Sequence, residues 1–179
     1  MEFIDRTGEK YITNEGYEIE IIKCRGSLSC DIKFINGVTI ENLNYYQIKN
    51  GQVKNPYHKS VYGIGYIGVG EFKAHIKRRP TKSYDTWIGM MRRCYSEKSL
   101  IRRPTYKDVR VCEEWHNFQN FAQWFENNYI EGMHLDKDLL SKGSKIYSPK
   151  TCCFVSLEDN SKIRWNKEIS NIEDNQDES

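Results

Sequence analysis

Apolar side chains are in short supply in this 179-residue chain. Only 38% of residues are hydrophobic, and no apolar run approaches the roughly 20 residues that cross a bilayer. That excludes a helical membrane span and leaves a folded, polar-surfaced chain of one domain or two small ones, with no membrane partner expected. Aromatics make up the deficit: 12 Tyr, 7 Phe and 4 Trp bury much area per side chain. The N-terminal stretch MEFIDRTGEKY lacks a basic segment followed by an apolar core, so no secretory signal is expected there and the expected location is the cytosol. The six cysteines, at positions 24, 30, 94, 112, 152 and 153, contain no CxxC pair. With an adjacent Cys152-Cys153 and no leader, they read as reduced thiols. A zinc site from Cys24, Cys30 and a histidine has irregular spacing and is the minor alternative.

Acid is what the middle of the chain lacks. From Lys73 to Arg110 there are twelve Lys or Arg against three acids, Asp85, Glu97 and Asp108. After Lys167 the pattern reverses, with five acids and no base; without that tail the formal charge rises from +2 to +7. A basic middle points to a polyanion, nucleic acid being the commonest, and the competing account is an ordinary solvated helix face. Arg78, Arg79, Arg92, Arg93, Arg102 and Arg103 are the candidate phosphate contacts. The tail is read as a disordered solubilising terminus, with docking onto a basic protein surface as the alternative.

The apolar pattern divides the chain. Residues 17–24 alternate like a strand, and Asp31 to Ile35 pairs with Val38 to Ile40 across the Asn36-Gly37 turn. Residues 45–53 form a helical turn or short loop ending at Asn50-Gly51. The string Gly63-Ile64-Gly65-Tyr66-Ile67-Gly68 matches GxGxxG literally, but the strand-like residues 71–76 follow it rather than a helix. Close packing or bends in a curved sheet therefore account for the glycines better than a dinucleotide loop. The expected organisation is a small β module over residues 1–76, a basic linker over 77–82, a nucleic-acid-directed domain over 83–167, and the tail 168–179. Within the third part, Ser83 caps a helix to about Tyr95 with Trp87, Met90, Met91 and Cys94 inward and Arg92 and Arg93 outward. Residues 102–106 are an exposed loop, 109–112 a short strand, and 117–129 a second amphipathic helix with Phe118, Phe121, Ala122 and Phe125 on one stripe.

The stretch from His134 to Asn160 is chemically the richest. As a strand, residues 134–140 put His134, Asp136 and Asp138 on one face. A turn at Ser141 to Lys145, an apolar run at Cys152 to Val155 and a polar helical start at Ser156 to Asn160 follow. Carboxylates, an imidazole and an amide gathered this way can hold a divalent cation or orient a phosphodiester, and they are equally ordinary as surface residues of a hairpin.

Taken in order, residues 87–95 (WIGMMRRCY), 109–118 (VRVCEEWHNF), Leu135 to Asp138, residues 147–152 (YSPKTC) and Asn160 resemble a phage-type HNH, or His-Me finger, endonuclease. The resemblance covers residues 84–160, and the N-terminal half is similar to the β module that precedes this region in related phage and prophage proteins. It implies an α+β fold: a small N-terminal β module, then two helices and a degenerate ββα-metal hairpin, in a host-cell cytosol. It also implies Mg²⁺ or Mn²⁺ at Asp136 and Asn160, with a general-base histidine next to the Asp. Here the chain departs from the family, since Lys137 stands at the base position and Thr151 at the mid-motif Asn. A lysine with its ordinary pKa near 10.4 is a poor base at neutral pH, and two flanking carboxylates hold its proton more tightly. Either His134, two residues upstream, reaches the water, or Lys137 contacts phosphate as a point charge.

Three functions follow as expectations. The first is a metal-dependent endonuclease acting on DNA or RNA with an altered site made of His134, Asp136, Lys137 and Asp138. The second is a non-catalytic nucleic-acid binder. The third is an anti-CRISPR-type antagonist that blocks a host guide-RNA–protein complex or clips its RNA.

Overall fold

The computed structural model describes residues 4–141, 143–156 and 158, so Asn160 and the acidic tail lie outside the described residues. The fold is mixed α+β, and the chain divides after His58 into two compact units. Residues 59–76, expected in the N-terminal module, belong to the second unit. The reason is visible in their packing: Val61, Ile64, Ile67, Phe72 and Ala74 lie against the core of that unit.

The first unit is an antiparallel meander of β1 (Lys10–Ile12), β2 (Glu18–Cys24), β3 (Cys30–Phe34) and β4 (Thr39–Leu43), in that order across the sheet. Alternation in β2 sends Ile19 and Ile21 inward and Glu18 and Glu20 outward. The inward side chains meet Ile32, Phe34 and Val53, and Ile48 of the short helix α1 (Tyr45–Lys49), which Asn44 caps by accepting the Tyr46 N–H. Cys24 and Cys30 sit directly opposite each other on β2 and β3 and form a disulfide. This corrects two sequence expectations. These two thiols are not reduced, and their sulfurs are not available to zinc. The other four cysteines are free. Next to the disulfide, Arg25 grips Asp31 with two N–H···O bonds of 2.9 and 2.6 Å, and the Asn42 N–H donates to the same carboxylate at 3.0 Å.

The second unit is organised around two amphipathic helices, α2 (Lys82–Tyr95) and α4 (Phe118–Asn128). Thr81, not Ser83, is the N-cap of α2, its hydroxyl accepting the Tyr84 N–H, while Ser83 is buried. Asn117 caps α4 by accepting the Gln119 N–H at 3.0 Å. Trp87, Met90, Met91 and Cys94 of α2 pack with Phe118, Phe121, Ala122 and Phe125 of α4 and with Trp115, all buried. The Trp87 indole N–H donates to the Trp115 carbonyl at 2.7 Å, so this large ring is buried without leaving its polar atom unmet.

The glycine-rich stretch lies against these helices. A Cβ on Gly65 would come within 2.9 Å of Trp87 and Met91 side-chain atoms. One on Gly68, at φ +74°, would overlap the capping amide of Asn117. Glycine is needed here so that backbone can approach a helix pair, not to cradle a phosphate. The expected strand over 71–76 shrinks to β5 (His75–Ile76), which pairs with β6 (Arg79–Pro80). Residues 97–106, expected in part as a loop, form α3 (Glu97–Arg102) and a 3₁₀ turn at Pro104–Tyr106.

Candidate functional site

Two features of the second unit bear on function: the hairpin that begins at His134 and the cations between Lys73 and Arg110. The hairpin is built from β8 (His134–Asp136) and β10 (Cys153–Val155), antiparallel, with His134 opposite Val155 and Asp136 opposite Cys153. Between them runs β9 (Ile146–Tyr147), which pairs in parallel with β7 (Arg110–Val111). Phe154 of β10 fixes the hairpin to α4: its ring lies 5.4 Å from Trp124 and 5.3 Å from both Phe125 and Tyr129. Trp124, Phe125, Tyr129 and Phe154 form one aromatic cluster at this seam.

The strand ends at Asp136, short of the run to Leu140 expected from alternation. Asp136 Oδ1 accepts the backbone N–H groups of Asp138 at 2.7 Å and Leu139 at 2.9 Å. A short carboxylate that takes its own downstream amides turns the chain out of the ladder. His134 and Asp136 thus keep the strand alternation, whereas Asp138 leaves the strand, and the expected three-residue face is not formed. His134 is exposed and Asp136 half-buried.

Lys137 is the least expected residue. It is buried, and its ammonium donates to Asp138 Oδ1 at 2.7 Å and to the Ser144 carbonyl at 2.9 Å. One side chain thereby ties the start of the 137–145 loop to its end. The position that the family resemblance assigns to a base is thus occupied by a side chain engaged in two structural hydrogen bonds. The nearby thiols are no substitute nucleophile. Burial pushes Cys94 up to about 11 and Cys152 up to about 12, so both are neutral at physiological pH. Thr151, at the mid-motif position, donates to the Ile146 carbonyl at 2.7 Å and accepts the Ser148 N–H at 3.0 Å, which folds the turn before β10. Asn160, the second expected metal ligand, lies outside the described residues.

Of the six arginines expected on phosphates, Arg78, Arg79, Arg92, Arg102 and Arg103 are exposed. Arg93 is half-buried instead, its guanidinium 5.6 Å from the centre of the Tyr147 ring. Arg78 and Arg79, expected in a linker, lie at the tip and return strand of the β5–β6 hairpin. Of the twelve cations from Lys73 to Arg110, all but Arg93 are exposed. Among the described residues there are five ion pairs, Arg6–Glu9, Lys10–Glu18, Arg25–Asp31, Lys137–Asp138 and Lys145–Asp108, and none uses any of the twelve. Lys145 even neutralises Asp108, one of the three acids in that stretch. Lys77, which is not one of the six arginines expected on phosphates, shares the hairpin tip with Arg78.

No helix among the described residues is long and apolar enough to cross a membrane. Comparison with protein-family models, with curated proteins and with solved structures finds no match for the chain.

Proposed function

We propose that this chain is a nucleic-acid-binding protein. Its second unit engages the phosphate backbone through the cations between Lys73 and Arg110, and the β8–β10 hairpin serves as a packed platform rather than a proton-transfer site. The observation that carries this reading is the set of eleven exposed cations with no ion-pair partner among the described residues. Unpaired surface charge of one sign raises the local potential and releases condensed counterions when it meets a polyanion. The bonds of Lys137 support the non-catalytic half of the proposal, because an ammonium held by Asp138 and the Ser144 carbonyl has no lone pair to offer water.

Metal-dependent cleavage is the second reading, favoured by the antiparallel pairing of β8, which carries Asp136, with β10. In it, Mg²⁺ or Mn²⁺ would be held by Asp136 and Asn160 and would supply charge stabilisation at the scissile phosphate. The fit is incomplete. Asp136 Oδ1 already accepts two backbone N–H groups, which leaves mainly Oδ2 for a cation that prefers six oxygens.

One experiment separates the readings: incubate labelled DNA and RNA with the protein in Mg²⁺ or EDTA, then resolve complexes and products. Binding that is the same in both conditions, with intact strands, is expected for wild type and for Asp136→Ala. Strand cleavage that needs Mg²⁺ and disappears in Asp136→Ala would establish the second reading instead.

A further inference from the structure

We infer that the β5–β6 hairpin is a groove-inserting element for duplex DNA, with Arg78 entering the minor groove; this rests on the nucleic-acid reading above and names its ligand more narrowly. The hairpin closes through a two-residue turn in which Lys77 (φ +48°) and Arg78 (φ +66°) both take left-handed backbone. Positive φ at both central positions is the type I′ pattern, whose natural occupants are Asn-Gly or Asp-Gly. A long cationic side chain at each position strains the backbone, and such strain concentrates where a side chain has a task. The pair is not at the tip for local packing, since every residue from His75 to Pro80 is exposed.

The hairpin is hydrogen-bonded to its unit at its base. At its base the Thr81 N–H donates to the Ala74 carbonyl at 2.9 Å, and the Thr81 hydroxyl donates to the Lys73 carbonyl at 2.9 Å. The same threonine caps α2, whose Trp87 is fully buried, so the hairpin is joined to the core of its unit. His75 adds a ring contact to Tyr84 at 5.0 Å. What projects is a narrow ribbon with two cations at its apex, Arg79 beside them, and the apolar Ile76 58% exposed on the ribbon.

Those parts match minor-groove binding of B-form DNA. A narrow A·T groove concentrates negative potential and takes an inserted Arg. An apolar wedge such as Ile beside it can lean on the base steps, and flanking cations meet the phosphates. The minor groove of duplex RNA is wide and shallow and gives an inserted arginine no such grip.

The test uses the full-length protein and three fluorescein-labelled probes of about 20 base pairs or nucleotides, a length near one to two duplex turns. They are a duplex with a central A-tract, an all-G·C duplex and a single strand. The informative variant is Lys77→Asn/Arg78→Gly, which gives the turn its preferred residues, so the protein is expected to melt at the same or a higher temperature. Its affinity for the A-tract duplex is expected to fall about tenfold or more, the order of one lost specific base contact. Its preference for A-tract over G·C is expected to vanish. Arg102→Ala/Arg103→Ala is expected to weaken both duplexes alike and keep the preference. If wild type binds duplex DNA and the turn variant binds it equally well, the hairpin assignment is wrong while nucleic-acid binding stands. Equal or tighter wild-type binding to the single strand overturns the duplex assignment. No binding by wild type to any probe overturns the hairpin and the nucleic-acid reading together.

Discussion

Lys137→Ala should destabilise the second unit well beyond an ordinary surface substitution. The side chain is 11% exposed, its partner Asp138 27%, and the two bonds it donates measure 2.7 and 2.9 Å. A hydrogen bond to a charged group contributes about 1.5–3 kcal/mol. Breaking a fully buried pair costs about 3–5 kcal/mol, whereas an exposed pair contributes at most about 1 kcal/mol. Asp138 is open enough to recover hydration, which removes part of the cost, while the Ser144 carbonyl simply loses a donor. The expected loss is therefore about 2–3 kcal/mol for Lys137→Ala, and about 1–2 kcal/mol for Lys137→Met, which keeps the buried stem. All four tryptophans lie beyond His58, so urea unfolding followed by tryptophan fluorescence reads the second unit without the first. A lysine present only for chemistry or phosphate contact would be nearly silent in this assay. Changes below about 0.5 kcal/mol in both variants, the usual range for surface sites, would refute the structural role.

Other consequences can be measured in the same preparation. Gly68→Ala forces a left-handed alanine, at about 1–2 kcal/mol, and displaces the Asn117 cap, at about 1 kcal/mol, so a loss of about 2–3 kcal/mol is expected by the same fluorescence assay. In the first unit, the Arg25 guanidinium, aided by the Asn42 N–H, holds Asp31 down to about 2. Its folded pKa lies below its unfolded value near 4, so the stabilisation is complete above that value and disappears as pH falls toward 2. Acid unfolding of the first unit followed by far-UV circular dichroism should steepen across that window, and Asp31→Asn should flatten it; identical acid profiles would contradict the pairing. Reduction of the Cys24–Cys30 disulfide opens a short loop, and its loss should cost the first unit about 2 kcal/mol. Alkylation of the unfolded, unreduced protein should leave these two sulfurs unlabelled in mass spectrometry, and labelling at both would remove the bond from the account.

The elements that were legible from sequence are those with a strong period or a capping signal. The two amphipathic helices, the alternating strand β2 and the β3–β4 hairpin across the Asn36-Gly37 turn lie where alternation and turn chemistry put them. The β5–β6 hairpin was not legible, because Lys77 and Arg78 carry none of the glycine or asparagine that announces a tight turn, and so the stretch reads as a linker. Residues 59–76 read as part of the N-terminal module because glycine-rich sequence says that backbone comes close to something but not to what; here it is Trp87, Met91 and Asn117. At the hairpin, alternation promised a continuous face from His134 to Asp138. Competition between the Asp136 carboxylate and the strand ladder is a local hydrogen-bond effect that period-two patterning does not register. Lys137 illustrates the deeper limit. A charged residue between two acids reads as solvated or catalytic, and only its partner Ser144, seven residues on, shows that it closes a loop.

The most direct test of the central claim is the salt dependence of duplex binding by the full-length protein, measured by fluorescence anisotropy from about 50 to 200 mM salt. If about half of the eleven exposed cations reach phosphates, log K should fall linearly with log salt concentration with a slope of about −4 to −5. Binding that is absent at the lowest salt, or indifferent to salt across that range, would contradict a polyanion-binding surface between Lys73 and Arg110.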